Sequence, residues 1–171
     1  MFHLITRSTR RAFAGTAEAA TAAKVLKLSF ACPHVTHHSK KEVAQVNLSG
    51  EEGDMGILAS HAPTLIQLRP GVLSIKHVSG TAAAGSGGEL ESYFVAGGFA
   101  TINPESEVHV AAMEAVPLDH LDPEAIQKGL AEATAYAAQN ASSSDVRERA
   151  VSQIGLQVYQ ALSEAVKKQS H

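Results

Sequence analysis

The sequence is poor in several things whose absence narrows what the chain can do. It has no tryptophan, and aromatic residues make up only 5% of its 171 positions. One cysteine, Cys32, excludes an internal disulfide, so the fold has to be held by its own core, which a chain of this length can bury. No apolar run approaches the roughly 18 residues that a membrane-crossing helix needs. Neither sign of charge dominates, with 14 basic against 17 acidic residues and a net charge of −3. That balance excludes a nucleic-acid binder that works by counterion release. Catalytic signatures are missing too: the nine histidines are scattered, no serine sits in a nucleophile elbow, and Cys32 has no activating neighbour. Cys32, His34, His37 and His38 have ligand-capable side chains but lack a second pair at a recognised spacing. They read as a solvated loop, and neither a metal nor a cofactor is expected.

What is present begins with a distinct amino terminus. Residues 1–17 carry Arg7, Arg10 and Arg11 with hydroxyl residues and no acid, while Phe2, Leu4, Ile5 and Phe13 suit an apolar helical face. This is the composition of a mitochondrial transit peptide, the alternative being a basic disordered tail. Residues 1–24 are assigned to leader and linker, with the mature terminus expected after Arg11 and before Val25. Without the three arginines the charge falls to −6.

From Val25 the pattern is that of strands. Leu26, Leu28 and Phe30 alternate with Lys27 and Ser29. In the run Lys41 to Ser49, Ala44, Val46 and Leu48 are expected on one face and Val43, Gln45 and Asn47 on the other, after an exposed connection at Cys32 to Lys40. Val72 to Val78 is another strand. The Gly-rich run Ser79 to Gly88 reads as a flexible loop, without the Lys-Ser or Lys-Thr that a phosphate cradle needs. Tyr93 to Ala96 and Phe99 to Ile102 are expected to form a hairpin across Gly97 and Gly98, and Ser106 to Val116 one long strand. Short strands with frequent turn signals describe a sandwich or barrel.

At Leu118 the period changes to helical. Asp122 is a suitable N-cap with Pro123 behind it, and Ile126, Leu130, Ala133 and Ala137 form a stripe. A turn at 140–144, with Ser142 and Asp145 in capping-box-like spacing, leads to a second stripe of Val151, Ile154, Val158, Leu162 and Ala165. The expected class is α+β: an antiparallel β-sandwich over 25–118 followed by an antiparallel two-helix hairpin over 119–171.

The most informative stretch is EEGDMGILASHAPTLIQLRPG, Glu51 to Gly71. It is read as a polar turn from Gly50 to Gly56, a short strand at Ile57 and Leu58, a break at Ser60 to Pro63, and a second strand from Leu65 to Leu68. Ile57, Leu58 and Leu65 are expected to hold this corner to the core. With Tyr93, Phe94, Val95, Gly97 and Gly98, and with Glu114, Ala115, Leu118, Leu121 and Asp122, it resembles the central-stalk subunit family of rotary ATP synthases. That family's members are called delta in mitochondria and epsilon in bacteria and chloroplasts. Ala59 and Ser60 are closer to the mitochondrial branch. The span Ser79 to Glu91 is longer than the family's usual hairpin.

The resemblance implies a non-catalytic rotor subunit on the matrix side of the mitochondrial inner membrane, gripping the gamma shaft, resting on the c-subunit ring and touching the small mitochondrial epsilon subunit. It would couple proton flow to ATP synthesis. Gly53, Asp54, Met55, Gly56 and His61 are the candidates for the ring contact. His61 would either bond across that interface or bond its own backbone in the turn. Tyr93, Phe94 and Phe99 are candidates for the shaft, or else core. Two other functions stay open: a hairpin that inhibits ATP hydrolysis, as in the bacterial branch, and a free-standing binding module. Asp145, Arg147 and Arg149 match a nucleotide-sensing helix poorly and read as an exposed face.

Overall fold

A computed structural model describes residues 25–78 and 90–169. The expected leader and the Gly-rich run 79–88 lie outside the described residues. β1 (Leu26–Ala31) buries Leu26, Leu28 and Phe30 as its alternation requires. The exposed connection expected after it shrinks to a tight turn, in which Cys32 N–H donates to the Val35 carbonyl at 2.8 Å. β2 (Thr36–Gly50) is already a strand by then, because Thr36 to Val43 pairs antiparallel with β1. A bulge between Val43 and Gln45 resets its parity. Val43, Val46 and Leu48 therefore point inward, in place of the expected Ala44, Val46 and Leu48.

The remaining strands are β3 (Gly53–Ile57), β4 (Thr64–Leu68), β5 (Gly71–His77), β6 (Leu90–Val95), β7 (Gly98–Ile102), β8 (Glu107–Ala112) and β9 (Ala115–Pro117). Their order is β1-β8-β7-β4-β2-β5-β6-β9, with β3 added to β2 and β2 also paired to β1. The long β2 thus belongs to both layers of a sandwich. One pair, β1 with β8, is parallel, so the sandwich is not wholly antiparallel.

Two expectations fail at one place. β6 and β7 do not form a hairpin: β6 pairs with β5 and β9, and β7 with β4 and β8. The expected long strand is likewise cut into β8 and β9. Both breaks are crossings from one layer to the other, and they run side by side. Met113 N–H donates to the Gly97 carbonyl at 2.9 Å and Ala96 N–H to Glu114 at 3.1 Å. Gly97 and Gly98 have φ of +131° and +142°, and a Cβ on Gly98 would sit 2.2 Å from the Ala111 carbonyl oxygen. Only glycine fits there.

The core is one apolar cluster between the layers, including Leu26, Phe30, Val46, Ile57, Ile75 and Ile102. Each fully buried aliphatic of this size contributes roughly 1.5–3 kcal/mol of transfer free energy. Ile57 is in this cluster, whereas Leu58 and Leu65 are exposed; Ile66 and Leu68 do the holding assigned to them. The reason is parity: Ile57 closes β3, and the turn that follows, with His61 N–H donating to the Leu58 carbonyl at 3.2 Å, carries Leu58 outward.

After a 3-10 turn at Leu118–His120 come α1 (Pro123–Asn140) and α2 (Val146–Gln169). Asp122 caps α1 through the Glu124 N–H at 2.9 Å. Asp145 itself caps α2, accepting from the Arg147 N–H at 2.8 Å, so the Ser142 to Asp145 box is not the device used. The helices are antiparallel, with Gln127 Nε2 3.5 Å from Ser163 Oγ and the Tyr159 ring lying over Gly129. The α1 stripe is the expected one, with Ile126 buried. On α2 the expected stripe holds at its far end, where Ala165 is buried and Val158 and Leu162 are half-buried, and fails at its start, where Val151 and Ile154 are exposed; Ser152 and Ser163 are buried as well. Small residues win the interface because they let the helix axes approach, and Tyr159 needs the bare backbone of Gly129. The hairpin is not free. α2 packs on β5 and on the 3-10 turn.

Candidate functional site

The corner is built from β3 and the turn behind it. Gly53 has φ of +134° in open space, which lets the chain reverse at Glu51 and Glu52. Gly56 faces Asn47 and Gln45, and a Cβ there would sit 3.0 Å from both side chains. Met55 packs half-buried on the core. Ser60, at φ +64°, donates its N–H to Ser106 Oγ at 2.9 Å, and Ser106 is buried. This one hydroxyl anchors the turn. His61 Nδ1–H donates to the Ala62 carbonyl at 2.9 Å, so its ring is engaged within the turn.

Asp54 is not an isolated charge at the tip. Arg69 Nη2 donates to Asp54 Oδ1 at 2.9 Å, and both side chains are largely exposed. The Arg69 hydrogen bond, followed by one from Ser49 across the β2–β3 rung, holds the Asp54 carboxyl below the usual carboxylate range, and Lys168 at the end of α2 adds attraction. The tip proper is Glu51 and Glu52, both exposed. Asp54, Arg69 and Lys168 also line a groove of about 890 Å³ between the sheet and the end of α2, with Glu91 and Asp119 among its other lining residues.

The three aromatic candidates separate. Tyr93 is 6% exposed, within the core cluster, and makes an edge contact with Phe30. Phe94, 4% exposed, lies outside that cluster on the opposite face of β6. Phe99 is 54% exposed on the outer face of β7. Register places Gln67 and Ala111 on either side of it, and Leu65 beside Thr101 one rung away. Exposed Leu65 and Phe99 with Ala111 give the β4, β7 and β8 face an apolar area. Chemically, corner, groove and face offer docking, with no converging nucleophile, acid and base among the described residues.

One cluster had no warning in the sequence. His38, His77, Glu91 and Tyr93 meet at one end of the core, with His77 Nε2 donating to Glu91 Oε2 at 2.9 Å and the Tyr93 hydroxyl donating to Oε1. Burial raises the Glu91 carboxyl, but Tyr93, His77, His38 and Lys41 together outweigh it, and the net shift is downward. Burial and then Glu91 push the Tyr93 hydroxyl up.

Residues 26–118 match the β-sandwich domain of the ATP synthase delta/epsilon chain. The chain belongs to the ATP synthase delta/epsilon family. It is 43% identical over 151 residues to ATP synthase subunit delta, mitochondrial, of Saccharomyces cerevisiae, covering 88% of this chain and 86% of the relative. To the protein of that name from Pichia angusta it is 42% identical over 171 residues, covering 97% and 99%. A chain in the structure of the Euglena gracilis mitochondrial ATP synthase, OSCP/F1/c-ring, superposes with a TM-score of 0.71 at 27% identity, covering 94% and 99%. A chain of the central stalk and c-ring of the Tetrahymena thermophila enzyme, at 12% identity and a TM-score of 0.51, shares the fold. The delta/epsilon assignment thus covers sandwich and hairpin together.

Proposed function

We propose that this chain is a non-catalytic central-stalk subunit of mitochondrial ATP synthase, linking the gamma shaft to the c-subunit ring so that proton flow drives ATP synthesis. The observation that carries the reading is end-to-end similarity to mitochondrial delta subunits, with 97% of this chain aligned to 99% of one of them. Residues 1–24 act as leader and linker, and the working protein is peripheral to the matrix side of the inner membrane. The corner bearing Gly53, Asp54, Met55, Gly56 and His61 faces the ring; its exposed acidic tip and the turn pinned by Ser106 support this. Of the aromatic candidates, Phe99 is the one with ring surface to offer the shaft, while Tyr93 packs in the core and Phe94 is buried on the opposite face of β6. The groove between sheet and α2 is where the small mitochondrial epsilon subunit sits. A hairpin already folded on β5 favours this docking role over an inhibitory one.

The test is mass spectrometry of complexes from detergent-solubilised mitochondria separated on native gels. The chain should co-migrate with gamma and the c ring and begin between residues 12 and 25. A chain that migrates apart from the complex would overturn the reading.

A further inference from the structure

Val151, Ile154, Val158, Ala161 and Ala165 recur along α2 at alternating steps of three and four residues. That is the spacing of a coiled-coil seam, a line of apolar side chains along one edge of a helix, and it suits contact with a second helix. The second helix is not α1. What α1 meets is another edge of α2, where the Tyr159 ring lies over Gly129 and Ser163 faces Gln127. The two ends of the seam differ in their surroundings. Ala165 is 2% exposed, and it lines the groove with Ala161. Val151 and Ile154, by contrast, are 54% and 59% exposed. Half-buried Val158 joins the two parts, so the seam starts in the groove wall and runs on uncovered. From Val151 to Ala165 it extends about 21 Å, at about 1.5 Å per residue.

The charges of the groove are unbalanced. Four carboxylates line it, on Asp54, Glu91, Asp119 and Glu164, against two permanent cations, Arg69 and Lys168, with the His120 imidazole beside them. Two of the carboxylates are satisfied within the chain. Asp54 accepts from Arg69 at 2.9 Å, and Glu91 accepts from His77 and from the Tyr93 hydroxyl. The carboxylates of Asp119 and Glu164 have neither a hydrogen bond nor an ion pair among the described residues, and both side chains are exposed. Lys168 offsets them only in part, since it already draws on Asp54. A wall of this sign attracts a positively charged occupant and repels an acidic one.

We propose that the groove and the uncovered seam of α2 form one track for a single amphipathic helix of a basic partner, a proposal that rests on the seating of the small epsilon subunit in this groove. The apolar edge of that helix lies along the seam from Ala165 to Val151, about four turns, and its Lys or Arg side chains meet Asp119 and Glu164 at the groove end. The apolar contacts hold the helix in place, and the carboxylates set its direction along the track.

The test measures binding of the purified small epsilon subunit to the full chain, at low and at physiological salt. Affinity for the unmodified chain should fall as salt rises. Asp119→Lys with Glu164→Lys should weaken binding by on the order of tenfold and flatten its salt dependence, and the neutral pair Asp119→Asn with Glu164→Gln should do the same to a smaller degree. Ile154→Asp should weaken binding by a factor similar to that of the first pair. Glu105→Lys with Glu132→Lys, the same charge change at exposed positions outside the groove, should leave it unchanged. Every substituted side chain is exposed, so circular dichroism should report an unchanged fold. If the small subunit binds but is indifferent to the two carboxylates or to Ile154, or if the control pair weakens binding as much, the track is overturned while the seating stands. If it does not bind the unmodified chain, in a preparation whose native complex still holds gamma and the c ring, the seating itself fails and the track with it.

Discussion

Gly97 and Gly98 offer a way to separate two costs that usually arrive together. Both have positive φ, so an alanine at either position must adopt backbone angles that L residues resist, a strain of about 1–3 kcal/mol. Around Gly97 there is room, since a Cβ would lie 3.5 Å from the nearest atom, the Leu68 carbonyl oxygen. Around Gly98 there is none. The added carbon would sit 2.2 Å from the Ala111 oxygen and 2.9 Å from Ala112 Cα, both backbone atoms of β8, where no rotamer change relieves the clash. Overpacking of this kind costs roughly 1–3 kcal/mol more. Gly97→Ala is therefore expected to cost about 1–3 kcal/mol and Gly98→Ala roughly 2–6, against a total stability of about 5–15 kcal/mol for a domain. In urea, where slopes run about 1–3 kcal/mol per molar, the second midpoint should fall below the first by roughly 1 M. Circular dichroism of the full chain in a urea series measures both. Equal midpoints would refute the idea that Gly98 is required by the close approach of β8 and not by its dihedral alone.

Ile57→Ala should remove about 2–5 kcal/mol by opening a cavity in the core, while Leu58→Ala, one residue on and exposed, should stay within about 0.5 kcal/mol; thermal melts distinguish them. A cysteine at position 54 should cross-link to cysteines in the polar loop of the c subunit, and one at position 105 should not; buried Cys32 does not compete, and the reverse pattern would mean the subunit sits the other way up. Stability should fall in two steps as pH drops. His38 holds its proton less tightly in the fold than its ordinary value of 6.5, and Glu91 less tightly than 4.5, so the unfolded chain takes up protons first below each value. Urea midpoints that stay flat from pH 8 to pH 4 would contradict both shifts. Exposed Asp54 with Arg69 is worth at most about 1 kcal/mol, so Asp54→Asn should leave the melting curve nearly unchanged.

Where local pattern decides the outcome, the sequence was a sufficient guide. The alternation of Leu26, Leu28 and Phe30, the Asp122-Pro123 start of α1 and the Ile126 to Ala137 stripe all appear in the fold as read. Readings failed where a local signal had two structural solutions. Paired glycines suit a hairpin turn, but they equally suit a crossing that passes close to another backbone, and the choice at Gly97 and Gly98 rests on β8, which comes later in the chain. A bulge adds a residue without a composition of its own, so the inward set of β2 moved to Val43 without notice. The cluster of His38, His77 and Glu91 comes from three strands, and no spacing within the sequence relates them.

The aromatic candidates show why a docking surface is harder to read than a core. Strand parity correctly separates Tyr93 from Phe94, since neighbours in a strand point to opposite faces. Parity then predicts that Phe94 and Phe99 are both outward, each on the outer face of its own layer. One is buried and the other is not, because burial of an outward residue depends on what lies over that face, here different for β6 and β7. The hairpin seats α2 on β5, the neighbour of β6, and leaves the β4, β7 and β8 face open. In a two-layer protein with a helical appendage, the face that the appendage leaves uncovered is the one available to a partner, and only the docked position of the helices reveals which face that is.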